Sequence, residues 1–230
     1  MSNSTLLNGL RVAVTGAGGT VGQAVAREAL QMGASVALID MKVPEALRDL
    51  SGAKYYTADL TDEREIRQCF EEVGQIDALL NIAGGFAMGR PVHETSDADW
   101  DQMFDINVKT LLHCVRQAVP GMISRGNGRI VNIAAVSARR GQPLMAPYSA
   151  SKSTIIRLTE SMAMELREKG INVNCVLPSI VDTPANRHAM PDVDHSKWVS
   201  PVDLAHVVCF LASDHARAIH GASLPVTHLS

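Results

Sequence analysis

The chain has 230 residues and a mass of 24.7 kDa, enough for one large domain. Hydrophobic residues at 46% and charged residues at 20% exclude a disordered chain. Aromatics at 4% and a net charge of −3 leave neither the stacking platforms nor the basic excess that single-stranded nucleic acid or an anionic membrane requires.

Arg11–Thr15 is a short β-branched run that ends in glycines. Val21, Val25, Ala26, Ala29 and Leu30 then recur at helical spacing, and Gly33 closes the helix. Ser35–Asp40 is an apolar run of the length of a strand buried on both faces. The link to a third strand, Lys54–Ala58, is brief, so any helix within it is short. A helix over 62–73, a strand Asp77–Ala83 and a long helical pattern over 98–125 follow, with Pro120 expected to end or kink the last. Arg129–Ala134 reads as a fifth strand, Tyr148–Lys169 as a helix closed by Gly170, and Ile171–Leu177 as a sixth strand. Ser200 and Pro201 open a helix to Ala212, and Ala222–Val226 makes a seventh strand. This alternation predicts an α/β fold, a doubly wound parallel sheet of about seven strands with helices on both faces, in a single domain over 1–230. The irregular stretch after the sixth strand, 178–198, is too long for a connector and lies where such sheets bind ligands, so it is expected to cover a substrate.

Cys69, Cys114, Cys175 and Cys209 are widely spaced with no CxxC. They read as reduced buried thiols, and His188 and His195 lack a ligand constellation, so no metal site is expected. The N-terminus has no basic-then-apolar layout, and no apolar run approaches about 18 residues. A soluble, cytoplasmic protein without a membrane partner is the expectation.

Thr15-Gly16-Ala17-Gly18-Gly19-Thr20-Val21-Gly22 stands between the first strand and the first helix. Glycines allow a tight turn and close backbone approach, and the helix start offers free N–H groups and positive dipole to a pyrophosphate. Asp40 ends the second strand 18 residues after Gly22. A carboxylate there accepts from both ribose hydroxyls of NAD and repels a 2′-phosphate, which favours NAD over NADP, although a solvated strand-end aspartate is the plainer reading. Tyr148 and Lys152, four apart, share one helix face. An ammonium near a phenol favours the phenolate, lowering a pKa that is otherwise about 10.

TGxxxxxG at 15–22, Asp59-Leu60, Asn81-Ile82-Ala83-Gly84, Asn107 and Tyr148-Ser-Ala-Ser-Lys152, in this order, resemble the short-chain dehydrogenase/reductase family over nearly the whole chain. The resemblance implies a Rossmann-like fold and hydride transfer between NAD(P) and a small-molecule substrate. It also implies a homodimer or homotetramer joined through the long helices at about 98–125 and 148–169. It makes Tyr148 the general acid/base, Lys152 its helper and a grip on the nicotinamide ribose, and Asn107 the holder of a water in a proton relay. Gly16, Gly18, Gly19, Thr20, Val21 and Gly22 would cradle the cofactor. Asp59 and Leu60 would meet adenine, Asn81, Ala83 and Gly84 would support the cofactor, and Pro178, Ile180 and Thr183 would meet it from beyond the sixth strand.

Two positions depart from the family pattern. Thr20 replaces its middle glycine, a side chain that either narrows the turn or is compensated by Gly18 and Gly19. Ala135 stands where its catalytic serine lies, 13 residues before Tyr148. Ser137 would point to the same side, roughly 6.6 Å further along, if the strand continued. Both departures occur in the dihydropteridine reductase branch, which Ala83-Gly84-Gly85-Phe86, Val43-Pro44-Glu45 and the string Asp182-Thr183-Pro184…Asn186-Arg187…Met190-Pro191…Asp194…Ser196…Trp198 also resemble. A quinonoid dihydropterin accepts hydride without leaving an alkoxide that needs a serine; the alternatives are a ketone reductase using water or Ser137, and a catalytically idle dinucleotide sensor. Phe86 either stacks on a flat substrate or packs on its loop. Trp198 either touches substrate or anchors the 178–198 loop. Arg139 and Arg140 either bind a polar substrate or form a solvated face.

Overall fold

The computed structural model describes residues 5–42, 44–48 and 50–230. Residues 1–4 of the N-terminal reading and Val43 of the branch match lie outside the described residues.

Seven parallel strands form one sheet in the order β3-β2-β1-β4-β5-β6-β7: β1 Arg11–Thr15, β2 Ser35–Asp40, β3 Ala53–Thr57, β4 Ala78–Asn81, β5 Gly128–Ile133, β6 Ile171–Pro178 and β7 Ser223–Val226. Every central strand is an apolar run because both faces are covered. One face receives α1 (Thr20–Gln31) and α8 (Pro201–Leu211), which pack Val25, Ala29, Leu204 and Val208 against Val12, Val14 and Leu38. The other receives α3 (Glu63–Val73), α5 (Thr110–Arg125) and α6 (Ala146–Leu166), through Ile66, Phe70, Leu111, Cys114 and Ile155. The strand order reverses between β1 and β4, which opens a crevice at their carboxyl ends.

The short link after β2 holds one turn, α2 (Glu45–Arg48). β4 stops at Asn81, before the expected Ala83, because the N–H groups of Ile82 and Ala83 leave the ladder and donate to Thr15 Oγ1 at 3.2 and 3.3 Å. The pattern over 98–125 is not one regular helix. α4 (Asp97–Phe104) opens with a Ser96–Asp99 capping box, Asp105–Lys109 forms a π turn, and α5 continues from Thr110. Pro120 does not end α5, which runs on to Arg125. The end beyond it is held by burial of Met122, by the Arg125 guanidinium on the Ile76 carbonyl and by Gly126 in the left-handed region at φ 66.

The 178–198 stretch is more regular than its sequence suggests. Thr183 accepts from the Asn186 N–H, Pro184 sits at the first turn, and a short helix α7 (Pro184–Ala189) follows. Its two ends are tied together: Val199 N–H donates to Ile180 O at 2.9 Å, and Asp182 N–H donates to Val199 O at 2.8 Å.

Candidate active site

The glycine turn after β1 is shaped by two backbones in near contact. Gly16 has φ +65, and a Cβ on it would stand 2.7 Å from Ala83 Cα. A Cβ on Gly22 would stand 2.1 Å from Gly16 O. Gly19 caps α1 without a side-chain hydrogen bond, and the first turn carries no acidic residue. The N–H groups of Thr20, Val21 and Gly22 therefore meet the crevice side with no intrahelical acceptor and no competing anion, a set that fits a pyrophosphate. Of the two alternatives for Thr20, narrowing of the turn does not occur: it is the exposed first residue of α1, outside the Gly16–Ala83 contact.

Asp40 is half-buried at the end of β2 and accepts from Gly18 N–H at 2.8 Å through Oδ2. The carboxylate thus fixes the turn as well as facing it. Asp59 holds its own turn, Oδ1 accepting from the N–H and hydroxyl of Thr61 at 2.8 and 2.7 Å. Leu60 is buried, and its carbonyl lies 3.0 Å from His113 Nδ1. Asn81 turns its amide into the sheet: Nδ2 donates to Asn132 Oδ1 at 2.9 Å, and Asn132 Nδ2 donates to Thr159 Oγ1 on α6 at 2.9 Å. The Asn81 Nδ2 is thereby committed to the sheet, whereas Asn81 Oδ1 is buried without a hydrogen-bond partner among the described residues. Pro178, Ile180 and Thr183 lie at the carboxyl end of β6 and in its extension, on the same edge of the sheet.

α6 carries Tyr148 and Lys152 to this edge. Pro147 in its first turn presets the helical backbone just before the tyrosine. Lys152 is 5% exposed, and its Nζ donates to Ile133 O, at the end of β5, at 3.0 Å. Among the described residues no carboxylate pairs with it, and burial pushes its pKa down to about 8. A Cβ on Gly84 would stand 3.1 Å from that Nζ and 2.7 Å from Asn107 Oδ1, so a larger residue there would push both side chains aside. The π turn presents Asn107 inward, 1% exposed. Its Oδ1 accepts from Gly85 N–H at 3.0 Å, and its Nδ2 donates to Gly85 O at 3.1 Å and Ser151 Oγ at 3.2 Å. Ser151 in turn donates to Tyr148 O at 2.8 Å. The Asn107 amide is therefore a brace between the Gly85 segment and α6.

Phe86, next to that brace, meets the Tyr148 ring edge to face, with centroids 4.9 Å apart. Burial pushes the Tyr148 phenol up to about 12. The expected lowering by Lys152 is not seen: Nζ stands 6.0 Å from the ring centroid, and desolvation of the phenolate alone sets the direction.

The remaining candidates separate. Ala135 is buried and extended beyond β5. The strand does not continue to Ser137; Val136–Arg139 curls into a 3₁₀ turn, so the same-side placement of Ser137 fails. Arg139 reaches away from the crevice to the Ser223 carbonyl at 3.2 Å. Trp198 is buried, its ring 4.3 Å from that of His195, which places it as a fastening of the loop. Ser151, Gly85, Asn132 and Thr159 escaped the sequence reading. Ser151 lies inside the Tyr148–Lys152 motif, whereas nothing in the linear pattern marks Asn132 and Thr159 as partners.

The chain belongs to the short-chain dehydrogenase family: the family model described as short chain dehydrogenase matches residues 11–194. It is 33% identical over 240 residues to 2-(S)-hydroxypropyl-CoM dehydrogenase 3 of Xanthobacter autotrophicus, covering 94% of each chain. It is 33% identical over 183 residues to acetoacetyl-CoA reductase of Allochromatium vinosum, covering 74% of each. In structure it is similar to a gluconate 5-dehydrogenase from Burkholderia cenocepacia in complex with NADP and tartrate, with a TM-score of 0.89, 27% identity and coverage of 98% of this chain and 96% of that one. The protein is an oxidoreductase of this family, built as a single Rossmann-like domain.

Proposed function

We propose that the protein transfers hydride between a nicotinamide dinucleotide and a small carbonyl or alcohol, or a conjugated imine-type substrate. The observation that carries this reading is the meeting of Tyr148, Lys152 and Gly84 at the carboxyl edge, beside a glycine turn with an open helix start. The bound dihydronicotinamide would supply the hydride. Tyr148, protonated across the neutral range, gives its proton to the substrate oxygen as the adjoining carbon gains the hydride, so a C=O becomes H–C–OH. Lys152 stays largely cationic at neutral pH, opposes the phenolate charge so formed and keeps donors for ribose hydroxyls. Asn107 holds the Gly85–Phe86 segment and α6 in register around the phenol.

Preference for NAD rests on Asp40 alone, whose carboxylate repels a 2′-phosphate. NADP, which the similar gluconate 5-dehydrogenase binds, is the competing cofactor. No described helix is long and apolar enough to cross a membrane, and the free buried cysteines favour a cytoplasmic setting. Assembly as a homodimer or homotetramer would use α4–α5 and α6, and sedimentation velocity tests it.

A dihydropteridine-reductase-like activity is the second reading, favoured by Ala135, which offers no hydroxyl to an alkoxide. One experiment addresses all of these. The protein is mixed with NADH or NADPH and a panel of quinonoid pterins, quinones and ketones, and absorbance at the nicotinamide band is followed. Turnover that disappears in Tyr148→Phe supports the enzyme, and tight cofactor binding with no turnover of any kind supports the idle sensor.

A further inference from the structure

Phe86 is a large apolar side chain that remains 54% exposed. Its ring meets that of Tyr148 with centroids 4.9 Å apart and planes at 80°. The two rings form a corner, one wall of which carries the phenol hydroxyl.

The segment that carries Phe86 is pinned on both sides of the ring. Before it, the Asn107 amide grips Gly85 twice, accepting from its N–H at 3.0 Å and donating to its carbonyl at 3.1 Å. A Cβ on Gly85 would stand 3.1 Å from Ile106 Cδ1, so the π turn packs directly on this backbone. After it, Gly89 N–H donates to Leu144 O at 3.0 Å, a clasp between two residues at positive φ, +135 for Gly89 and +61 for Leu144. A left-handed backbone is rare for a branched apolar residue, and such conformations persist where the surroundings hold them. Leu144 leads into α6 just ahead of Tyr148. The circuit closes through Ser151, which accepts from Asn107 Nδ2 and donates to the Tyr148 carbonyl. Phe86 and Tyr148 thus hang on one frame, and the exposure of Phe86 is a property of that frame.

A small cleft lies between this segment and α4, lined by Met88, Leu144, Pro147 and, from α4, Met103. Its volume is about 80 Å³, against the roughly 150 Å³ that holds a benzene molecule. A ring does not fit there, so a ring brought to the phenol lies in the open corner, flat on Phe86. An aromatic pair of this kind adds about two- to tenfold in affinity beyond the area it buries.

We infer that Phe86 is a specificity-determining residue and that the substrate carries an aromatic or flat conjugated ring close to the carbon that exchanges hydride. This rests on the oxidoreductase reading of the same site and narrows it to ring-bearing substrates. The ring lies on Phe86, and the reacting group reaches the Tyr148 hydroxyl along the other wall of the corner.

The test compares 1-phenyl-2-propanone with 1-cyclohexyl-2-propanone, ketones of matched size whose carbonyls are both unconjugated, with NADH and NADPH. The ratio of their kcat/KM values, phenyl over cyclohexyl, is expected to fall about two- to tenfold in Phe86→Leu, with the change residing in KM, and to persist in Phe86→Trp. Comparing ratios between variants cancels the intrinsic reactivity of each ketone. Calorimetry of 1-phenyl-2-propanol and 1-cyclohexyl-2-propanol, with and without NADH, reads the same contact independently of turnover. A ratio that stays constant in Phe86→Leu, or no Phe86-dependent binding of the phenyl alcohol, overturns the inference. Equal losses on both ketones with a shifted pH profile would make Phe86 a cover for the phenol, and equal losses with weakened NADH binding would make it a cofactor contact; either overturns the inference. Turnover of either ketone with those results leaves the oxidoreductase reading standing; absence of dinucleotide binding overturns the oxidoreductase reading itself.

Discussion

Lys152 donates through Nζ to the carbonyl of Ile133 at 3.0 Å, so α6 is hung on the end of β5 by a buried cation. Burial lowers its pKa to about 8 from 10.5, and the sign of the linkage follows. Below about pH 8 both folded and unfolded chains hold the proton, and the cost of burying the charge is present in full. Between about 8 and 10.5 the unfolded chain binds more protons, so stability rises with pH. Tyr148 acts in the opposite sense: raised from 10 to about 12, it makes stability fall with pH across that interval. Urea unfolding of the protein and of Lys152→Met at pH 7, 8, 9 and 10 should show the parent gaining on the variant above pH 8. Parallel curves would contradict a buried, charged Lys152.

Tyr148→Phe removes only the hydroxyl and retains the ring that Phe86 meets edge-on. Turnover should fall by about 10²–10⁴ while dinucleotide affinity stays within a few-fold. Stopped-flow reduction and equilibrium titration of NADH measure the two quantities separately.

Gly22→Ala and Gly19→Ala form a contrast within one turn. The new Cβ at 22 would lie 2.1 Å from Gly16 O, whereas at 19 the nearest atom is the same oxygen at 3.5 Å. The first should cost about 1–3 kcal/mol and abolish dinucleotide binding. The second should be nearly silent in thermal unfolding.

Asp40→Ser removes both the charge facing a 2′-phosphate and the acceptor for Gly18 N–H. The ratio of kcat/KM for NADH over NADPH is expected to drop about tenfold or more. An unchanged ratio would remove Asp40 from cofactor choice.

Asn132 joins Asn81 on β4 to Thr159 on α6 in a fully buried relay. Asn132→Ala strands the Asn81 amide N–H, while the Thr159 hydroxyl keeps its bond to the Ile155 carbonyl, and should destabilise by about 1–3 kcal/mol. Chemical denaturation gives the stability, and the pH profile of turnover shows whether α6 has shifted.

The sheet was legible because its strands are short apolar runs separated by helical periodicity, and the glycine turn because close backbone approach excludes side chains at Gly16 and Gly22. Tyr148 and Lys152 could be paired from spacing alone. The fate of Ser137 could not, since whether β5 continues past Ile133 depends on packing under α6 rather than on local preference. The phenol's environment was misjudged for a related reason: a nearby ammonium can be read from sequence, whereas desolvation depends on the whole enclosure. Pro120 was a local signal overruled by tertiary contacts at Met122 and Arg125. The strained clasp of Leu144 and Gly89 has no linear signature at all.

The π turn at Asp105–Lys109 behaves as one residue too many in an otherwise regular rod. Its phase slip lets α4 look toward the cleft while α5 looks toward α3 and the sheet, and Asn107 sits at the joint between the two orientations. Excising a single residue there would restore ordinary pitch and swing everything on one side by about 100°. Shortening this helix by one position is thus a rotation of α4 relative to α5, and insertions or deletions in this stretch should be far less tolerated than substitutions.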